Sequence, residues 1–180
     1  SLARTMSIAR PFVVNTGNTA PSAPTVLFPQ VGAQVNTQTV ALTVNNASDA
    51  EGDVLSLLFE IDTVSTFDSA AKRTSGQVMQ STGATTSWTV SDLVENQRYH
   101  WRVKAQDGLA ESVWAHGEFF VNRVNDAPPM PVVANPGSGA WSATLQPTLQ
   151  VSPVQDPEGE VVSYHFEVYA DAGLTRPVVT

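Results

Sequence analysis

The chain has 180 residues, of which 42% are hydrophobic and 14% are charged, a size that fits one large domain or two small ones. Its net charge of −8 at pH 7 disfavours nucleic acid and anionic membrane as partners, because phosphate groups would repel so acidic a surface. The lack of cysteine excludes disulfides, thiol catalysis and zinc–thiolate sites, and no apolar run is long enough to predict membrane insertion.

Alternating apolar and polar residues predict about seven short strands. In residues 55–62, for example, apolar side chains from Leu55 to Ile61 share one face, and Glu60 and Asp62 lie on the opposite, solvated face. The 25 valines and 18 threonines fill 43 of 180 positions, and such β-branched residues favour strands. Because no segment has a helical period, we predict an all-β sandwich. The predicted strands are 24–28, 40–44, 55–62, 72–79, 86–90, 99–105 and 118–122.

The chain matches itself when it is shifted by 107 residues. Residues 1–73 then align without a gap to residues 108–180, with 23 identities in 73 positions, well above chance for this composition. The best-matched stretch aligns Asp49-Ala-Glu-Gly-Asp-Val with Asp156-Pro-Glu-Gly-Glu-Val. A fixed period of this kind predicts a tandem repeat.

This period divides the chain into three parts. Residues 1–17 are predicted to be the last strand of a preceding repeat plus a linker, residues 18–124 a complete domain, and residues 125–180 the N-terminal half of the following repeat. Proline fixes φ and removes a backbone donor, so the proline-rich stretches at 15–24 and 122–131 are the predicted linkers.

Several stretches resemble the fibronectin type III repeats of bacterial extracellular proteins. Ala20-Pro-Ser-Ala-Pro looks like the first strand of that family, and Leu93 followed six residues later by Tyr99 looks like its tyrosine corner. Its last two strands and the loop between them are similar to Tyr99-His-Trp-Arg-Val-Lys-Ala-Gln-Asp-Gly followed by Trp114 to Phe119-Phe-Val-Asn. The resemblance implies a seven-stranded immunoglobulin-like sandwich for residues 18–124, in which the Tyr99 hydroxyl ties the turn before the sixth strand.

The second strand departs from the family pattern. The family often carries a tryptophan there, whereas this chain has Val40, Leu42 and Val44. We expect Trp88 and Trp101 to supply the missing core volume.

Acidic residues flank a glycine in two loops and predict a calcium site. The Asn125-Asp-Ala-Pro linker and the loop at Asp156 are also similar to those of cadherin-like, calcium-associated bacterial surface repeats. Calcium takes about six to eight oxygen ligands, and alternating carboxylates on a glycine-kinked turn can supply about three. The alternative interpretation is a solvated turn built from Asp, Glu and Gly. The candidate ligands are Asp49, Glu51, Asp53, Asn125, Asp126, Asp156, Glu158 and Glu160.

The aromatic residues are candidates for sugar stacking. Trp88, Tyr99 and Trp101 lie at inward-facing strand positions, where core packing is the expected role. Trp114 and Trp141 lie in or near loops and are the two candidate exposed platforms.

No residue pattern points to catalysis. His100, His116 and His165 are isolated and lack the spacing of a zinc site. Glu60 and Asp62 pair only on a strand face, with no pocket implied around them. The chain is therefore predicted not to be an enzyme.

These features predict a non-catalytic, extracellular β-sandwich repeat that acts as a structural spacer or adhesion module in a longer surface or secreted protein. The expected partner is a protein or polysaccharide at a cell surface, with calcium as the expected ion. The alternative hypothesis is an accessory carbohydrate-binding module of a secreted polysaccharide-degrading enzyme.

Residues 125–180 supply only the first three or four strands of a sandwich. An open sheet edge readily pairs with another strand, so we expect intermolecular pairing. The partner is either residues 1–17 of a neighbouring molecule, with Phe12 in the place that Phe119 fills in the complete repeat, or a second half-domain. The apolar residues expected on the open face are Leu149, Val151, Val162, Tyr164, Phe166 and Val168.

Overall fold

A computed structural model describes residues 17–179, so the strand predicted within residues 1–17 lies outside the described residues. Secondary structure in the described range consists of strands, and no helix there is long and apolar enough to cross a membrane. The strands are β1 (Thr25–Phe28), β2 (Ala33–Val35), β3 (Val40–Asn45), β4 (Ser56–Asp62), β5 (Arg73–Met79), β6 (Thr85–Val90), β7 (Gln97–Gln106), β8 (Ala115–Val121), β9 (Val133–Asn135), β10 (Gln150–Val151), β11 (Val168–Tyr169) and β12 (Pro177–Val179).

The chain separates into two compact units at the bond between Val121 and Asn122. In the first unit, one sheet has the strand order β1–β3–β6 and the other has the order β2–β8–β7–β4–β5. All neighbouring strands are antiparallel except β2, which runs parallel to β8. This arrangement is an immunoglobulin-like β-sandwich, and the predicted fold class is confirmed.

Alternation along the strands builds one core between the two sheets. In β7, for example, Tyr99, Trp101 and Val103 are buried, while the intervening residues are partly exposed. The same alternation operates in β3, β4 and β8, which explains why the predicted strand faces agree with the observed ones. The largest fully buried apolar side chains are Trp101, Phe59, Phe119, Leu42, Leu57, Ile61 and Leu93.

Because β3 carries no tryptophan, Trp88 and Trp101 were expected to supply the missing core volume, and both pack in or against the core. The Trp88 ring lies 6.3 Å from the ring of Phe59, and the Trp101 ring lies 6.4 Å from it on stacked planes. The Trp101 indole lies against Gly117 on β8, where a Cβ atom would overlap the ring. Glycine is therefore required at position 117 for the large ring to fit.

The tyrosine corner is confirmed. The backbone N–H of Val94 donates a hydrogen bond of 3.0 Å to the Tyr99 hydroxyl, and Leu93 is buried beside it. The Asn96 N–H donates to the Val121 carbonyl at 2.9 Å, which holds the same turn against the end of β8.

Two sequence-based predictions about this unit need correction. The prediction omitted β2, a strand of three residues whose parallel pairing with β8 joins distant parts of the chain. The placement of Asp62 on a solvated face was wrong, because Asp62 is 0% exposed. The following loop folds over it, and its carboxylate accepts hydrogen bonds from the N–H groups of Thr63 (2.7 Å) and Ser69 (3.0 Å) and from the Ser69 hydroxyl.

The second unit contains two short antiparallel pairs, β9 with β10 and β11 with β12. Its apolar residues border a groove of about 330 Å³ lined by Val133, Val151 and Phe166 among others. Leu149, Phe166 and Val168 are each more than a third exposed. Within the described residues, this unit thus leaves apolar side chains open to solvent.

Candidate linker and cation site

The first acidic loop is organised by Asp49. Its Oδ1 atom accepts hydrogen bonds from the backbone N–H groups of Glu51 (2.9 Å) and Asp53 (3.0 Å), while Gly52 adopts φ 78°. Asp and Gly are suited to these roles because a short carboxylate can cap its own turn and glycine tolerates positive φ. The loop is thus closed by the Asp49 carboxylate.

The Glu51 carboxylate binds the segment that precedes β1. It accepts hydrogen bonds from the backbone N–H of Thr19 (3.2 Å) and from the Thr19 hydroxyl (3.1 Å). Nearby, the Asn18 amide donates to Asp107 at 2.9 Å. The entry segment of the first unit is thus fixed to its own loops by side-chain oxygens at two consecutive residues.

The second acidic loop has the same hydrogen-bond pattern. Asp156 Oδ1 accepts hydrogen bonds from the N–H groups of Glu158 (2.9 Å) and Glu160 (3.2 Å), and Gly159 has φ 82°. Glu158 in turn accepts a hydrogen bond of 3.3 Å from the backbone N–H of Asp126. Each glutamate that follows the turn aspartate by two residues therefore binds its own entry segment.

Two carboxylate oxygens in these loops are buried without a hydrogen-bond partner among the described residues, Asp49 Oδ2 and Glu158 Oε2. Burial raises the pKa of Glu158 above its ordinary value, and the neighbouring Asp156 carboxylate adds to the increase. Asp156 itself is only 8% exposed. A cation or a proton would relieve the repulsion between these two carboxyl groups.

The candidate calcium ligands are brought together only in part. Between residues 17 and 179, no three histidine or acidic side chains are arranged so that they could hold a metal ion. The Asp49, Asp156 and Glu51 carboxylates already accept backbone N–H groups, and Asp126 meets Glu158 through its backbone. Calcium binding by these residues stays a prediction.

The aromatic candidates differ in exposure. Trp88, Tyr99 and Trp101 pack in or against the core, as predicted. Trp114 is only partly exposed, and its ring is covered by Arg102 at 4.3 Å and Lys104 at 4.9 Å, so it offers little free surface for a sugar. Trp141 is 99% exposed and is the open aromatic platform of the predicted set.

A charged cluster on the outer face of the larger sheet was not predicted. Glu60 binds Arg102 at 2.6 Å and Lys72 at 2.8 Å, while the Arg102 guanidinium also lies 4.2 Å above the Phe67 ring. Burial raises the pKa of Glu60, but the hydrogen bonds and charges of Lys72 and Arg102 outweigh it and hold the pKa below its ordinary value. Alternation along β4 and β7 is enough to predict that Glu60 and Arg102 point outward. The sequence does not reveal the register between the two strands, which places these two residues opposite each other.

Two of the three histidines, His100 and His116, line the same pocket on the larger sheet, and His165 lies in the second unit. His100 Nδ1 lies 3.3 Å from Glu118, His116 lies beside the Phe67 ring at 6.2 Å, and His165 Nε2 lies 3.3 Å from Glu167. Within the described part of the chain, no group of three or more histidine or acidic side chains is arranged to hold a metal ion.

Comparison with known proteins finds likenesses among solved structures. No family model matches the chain. No curated protein matches it either. Among solved structures, the chain is similar to the FN1–FN3 domains of chicken CNTN1, with 14% identity and a TM-score of 0.39 over 62% of this chain and 38% of that one. It is also similar to a fibronectin type III domain derived from the human KIAA0970 protein, with 19% identity and a TM-score of 0.39 over 66% of this chain and 85% of that one.

The class of protein follows from the strand order. The first unit is an immunoglobulin-like β-sandwich of seven main strands with the additional short strand β2.

Proposed function

We propose that this chain is a non-catalytic module of an extracellular protein, where it acts as a structural spacer or adhesion module. The observation that carries the proposal is the attachment of each entry segment to its own acidic loop, through Thr19 and Glu51 in one unit and Asp126 and Glu158 in the other. Sandwich domains serve many roles, so the proposal depends on this attachment rather than on the fold.

A spacer requires linkers that keep their direction. A backbone N–H group donates in both units, from Thr19 and from Asp126, and the Thr19 hydroxyl adds a side-chain bond in the first unit. In the first unit, Ser22 and Ser48 add a backbone hydrogen bond of 2.8 Å just before β1. Each such bond removes conformational freedom from a segment that proline already restricts.

The linker at 122–131 offers a direct test of this proposal. Because the chain lacks cysteine, spin labels can be placed at Met79→Cys and Val161→Cys, two exposed positions in different units. We expect a narrow distance distribution that broadens in Glu158→Ala and stays narrow in Glu111→Ala, a glutamate paired with Lys104 instead. A broad distance distribution in the spin-labelled chain that carries neither the Glu158 nor the Glu111 substitution would contradict a spacer role.

We also propose that calcium strengthens the acidic loops. The buried, unpartnered oxygens of Asp49 and Glu158 and the raised pKa of Glu158 support this proposal. A ligand that binds only the folded state raises its stability by mass action. Millimolar calcium should therefore raise the melting temperature, and Asp156→Ala should remove most of that increase, with Asp68→Ala as the control. No heat of binding and no change in melting would contradict calcium binding.

The exposed Trp141 favours a second candidate function, polysaccharide binding. In the 107-residue alignment it corresponds to Gln34 on β2, which also faces solvent, so a completed sheet would leave the indole open. Aromatic faces stack on sugar rings. Affinity electrophoresis in soluble polysaccharides should show retardation that Trp141→Ala removes and that Leu145→Ala, a nearby exposed apolar residue, retains. Equal mobility of the unsubstituted chain with and without polysaccharide would reject this candidate.

A further inference from the structure

A pocket on the outer face of the larger sheet brings two histidines together. It has a volume of about 240 Å³ and is lined by His100, His116 and Glu118 among others. In the pairing of β7 with β8, His100 lies opposite Glu118 and Arg102 lies opposite His116, so the two histidines are diagonal neighbours on one face. Diagonal neighbours are about 7–8 Å apart in a sheet, within reach of aromatic side chains. The two imidazole rings can therefore approach a common point.

Both imidazoles have a nitrogen available for a ligand. His100 Nδ1 lies 3.3 Å from the Glu118 carboxylate, and its Nε2 has no partner among the described residues. His116 contacts the Phe67 ring at 6.2 Å, and neither of its nitrogens has a hydrogen-bond or ion-pair partner in the described range. Metal-binding histidines almost always present one nitrogen to the ion while a carboxylate, carbonyl or water orients the other. His100 has this arrangement.

A fixed loop forms another wall of the pocket. Phe67 has φ 57°, an unfavourable conformation for a bulky residue, and its side chain is buried. The Phe67 N–H donates to the Val64 carbonyl at 3.3 Å, and the Arg102 guanidinium lies 4.2 Å above the ring. Such backbone strain persists only where the surrounding structure holds it, and it is concentrated at functional sites. The pocket is therefore preformed in the folded first unit.

The positive charges beside the pocket are compensated by carboxylates. Arg98 forms an ion pair with Glu118, and Arg102 forms one with Glu60 at 2.6 Å. The net charge of the chain is −8, which favours the approach of cations. A divalent cation in the pocket would thus meet imidazole nitrogens and paired guanidinium groups.

We propose that His100 and His116 together bind a divalent transition-metal ion of the zinc, nickel and copper class, with Glu118 as the positioning residue for His100. Imidazole nitrogen suits these ions, whereas calcium and magnesium prefer oxygen ligands. No group of three histidine or acidic side chains is arranged for a metal ion in the described residues, so water fills the other positions of a four-coordinate ion. This inference goes beyond the proposed spacer role and does not depend on it.

NMR of the imidazole groups tests the site in the unsubstituted full chain, which has three histidines and therefore three sets of signals. Zn²⁺ is added in the presence of excess calcium, which competes for carboxylate ligands. The His100 and His116 signals should shift with one common binding curve, and the His165 signal should stay in place. His165 is the matched control, because its Nε2 also lies 3.3 Å from a carboxylate but its unit has no second histidine. Equal shifts of all three histidines, or no shift at millimolar Zn²⁺, overturn the proposal.

Calorimetric titration with Zn²⁺ tests the role of each side chain. His100→Ala and His116→Ala should each raise the dissociation constant at least about tenfold, since loss of even an outer partner typically costs about 10–100-fold in metal affinity. Glu118→Gln should raise it about tenfold while the His116 signal still shifts, as expected of a positioning residue. Glu111→Gln, which changes a glutamate paired with Lys104, should leave the constant unchanged. Unchanged affinity in both histidine variants overturns the site, and amide spectra show whether each variant is folded.

The choice of metal tests the chemistry of the ligands. Cu²⁺ should bind more tightly than Ni²⁺ or Zn²⁺, because nitrogen sites follow that order of affinity. Calcium alone should leave the His100 and His116 signals in place. Calcium shifts as large as those with Zn²⁺ would assign the pocket to an oxygen-ligand site and overturn imidazole binding.

Discussion

Phe59 and Phe166 occupy corresponding positions in two stretches that share the pattern Phe-Glu, yet only Phe59 is buried. In the first unit, β7 and β8 extend the sheet beside Phe59, and the facing sheet covers the ring, with Trp88 of β6 at 6.3 Å. In the second unit, Phe166 instead borders an open groove that Val133 and Leu149 also line. Alternation therefore determines which side of a strand is apolar, whereas burial depends on strands far away in the sequence.

The largest expected effect tests this contrast directly. Phe59→Ala should lower the free energy of unfolding of the first unit by about 3–5 kcal/mol, because it opens a cavity in a closed core. Phe166→Ala should cost the second unit about 1 kcal/mol or less in dilute, monomeric protein, because the ring is partly solvated already. Urea unfolding followed by amide NMR signals of each unit measures both values. Equal losses in the free energy of unfolding for Phe59→Ala and Phe166→Ala would contradict the proposed difference in burial between the two units.

The next effect concerns the close contact at Gly117. Gly117→Ala should destabilise the first unit by about 1–3 kcal/mol, since the added methyl group overlaps the buried Trp101 ring. Gly83→Ala is the matched control, because its added Cβ would meet only the Ser81 hydroxyl at ordinary contact distance, 3.4 Å. The measurement is urea unfolding followed by tryptophan fluorescence. A Gly117→Ala variant as stable as Gly83→Ala would show that the indole does not occupy this place.

A smaller effect is expected at the tyrosine corner. Tyr99→Phe removes the acceptor of the Val94 N–H and should cost about 1–2 kcal/mol, because the donor is left unsatisfied in a partly buried turn. Tyr169→Phe, which removes an exposed hydrogen bond to Glu167, should change stability by less than about 0.5 kcal/mol. Thermal unfolding of the two variants distinguishes the roles, and identical melting curves would argue against the corner.

The weakest effect is a pH dependence of the first unit. The folded-state pKa of Glu60 lies below its ordinary value, so the charged carboxylate contributes stability above the unfolded pKa, and this contribution is lost as the pH falls through the folded pKa. Asp62 acts in the same direction, since the hydrogen bonds from Ser69 and Thr63 outweigh the effect of burial and lower its pKa. Stability measured from neutral pH to about pH 2 should therefore fall below about pH 4, and less steeply in Glu60→Gln. A parallel decline in both proteins would reject the contribution of Glu60.

Much of the first unit could be predicted from sequence because its determinants are local. The period of two placed Leu57, Phe59 and Ile61 inward, and the spacing of Leu93 and Tyr99 located the tyrosine corner. The pairing of β2 could not be predicted, because three residues carry too little periodicity and their partner β8 is about 80 residues away.

The candidate site was predictable only in outline. The two acidic loops were found from their Asp, Glu and Gly residues, whereas the role of Glu51 and Glu158 in binding the entry segments required the three-dimensional structure. Burial of Asp62 and the contacts of Arg102 with the rings of Phe67 and Trp114 depend on loops that fold back onto the sheet. No local pattern encodes such contacts, since the partners are brought together by the fold.

Hydrogen exchange of the full chain tests the central contrast most directly. The amides of β4 should exchange slowly, because β5 and β7 flank the strand. The amides of residues 163–169 should exchange faster, because the described residues pair only Val168 and Tyr169 of this segment, both with β12. Protection of residues 163–169 equal to that of β4 would contradict the account, since it would mean that the second unit pairs this segment along both edges.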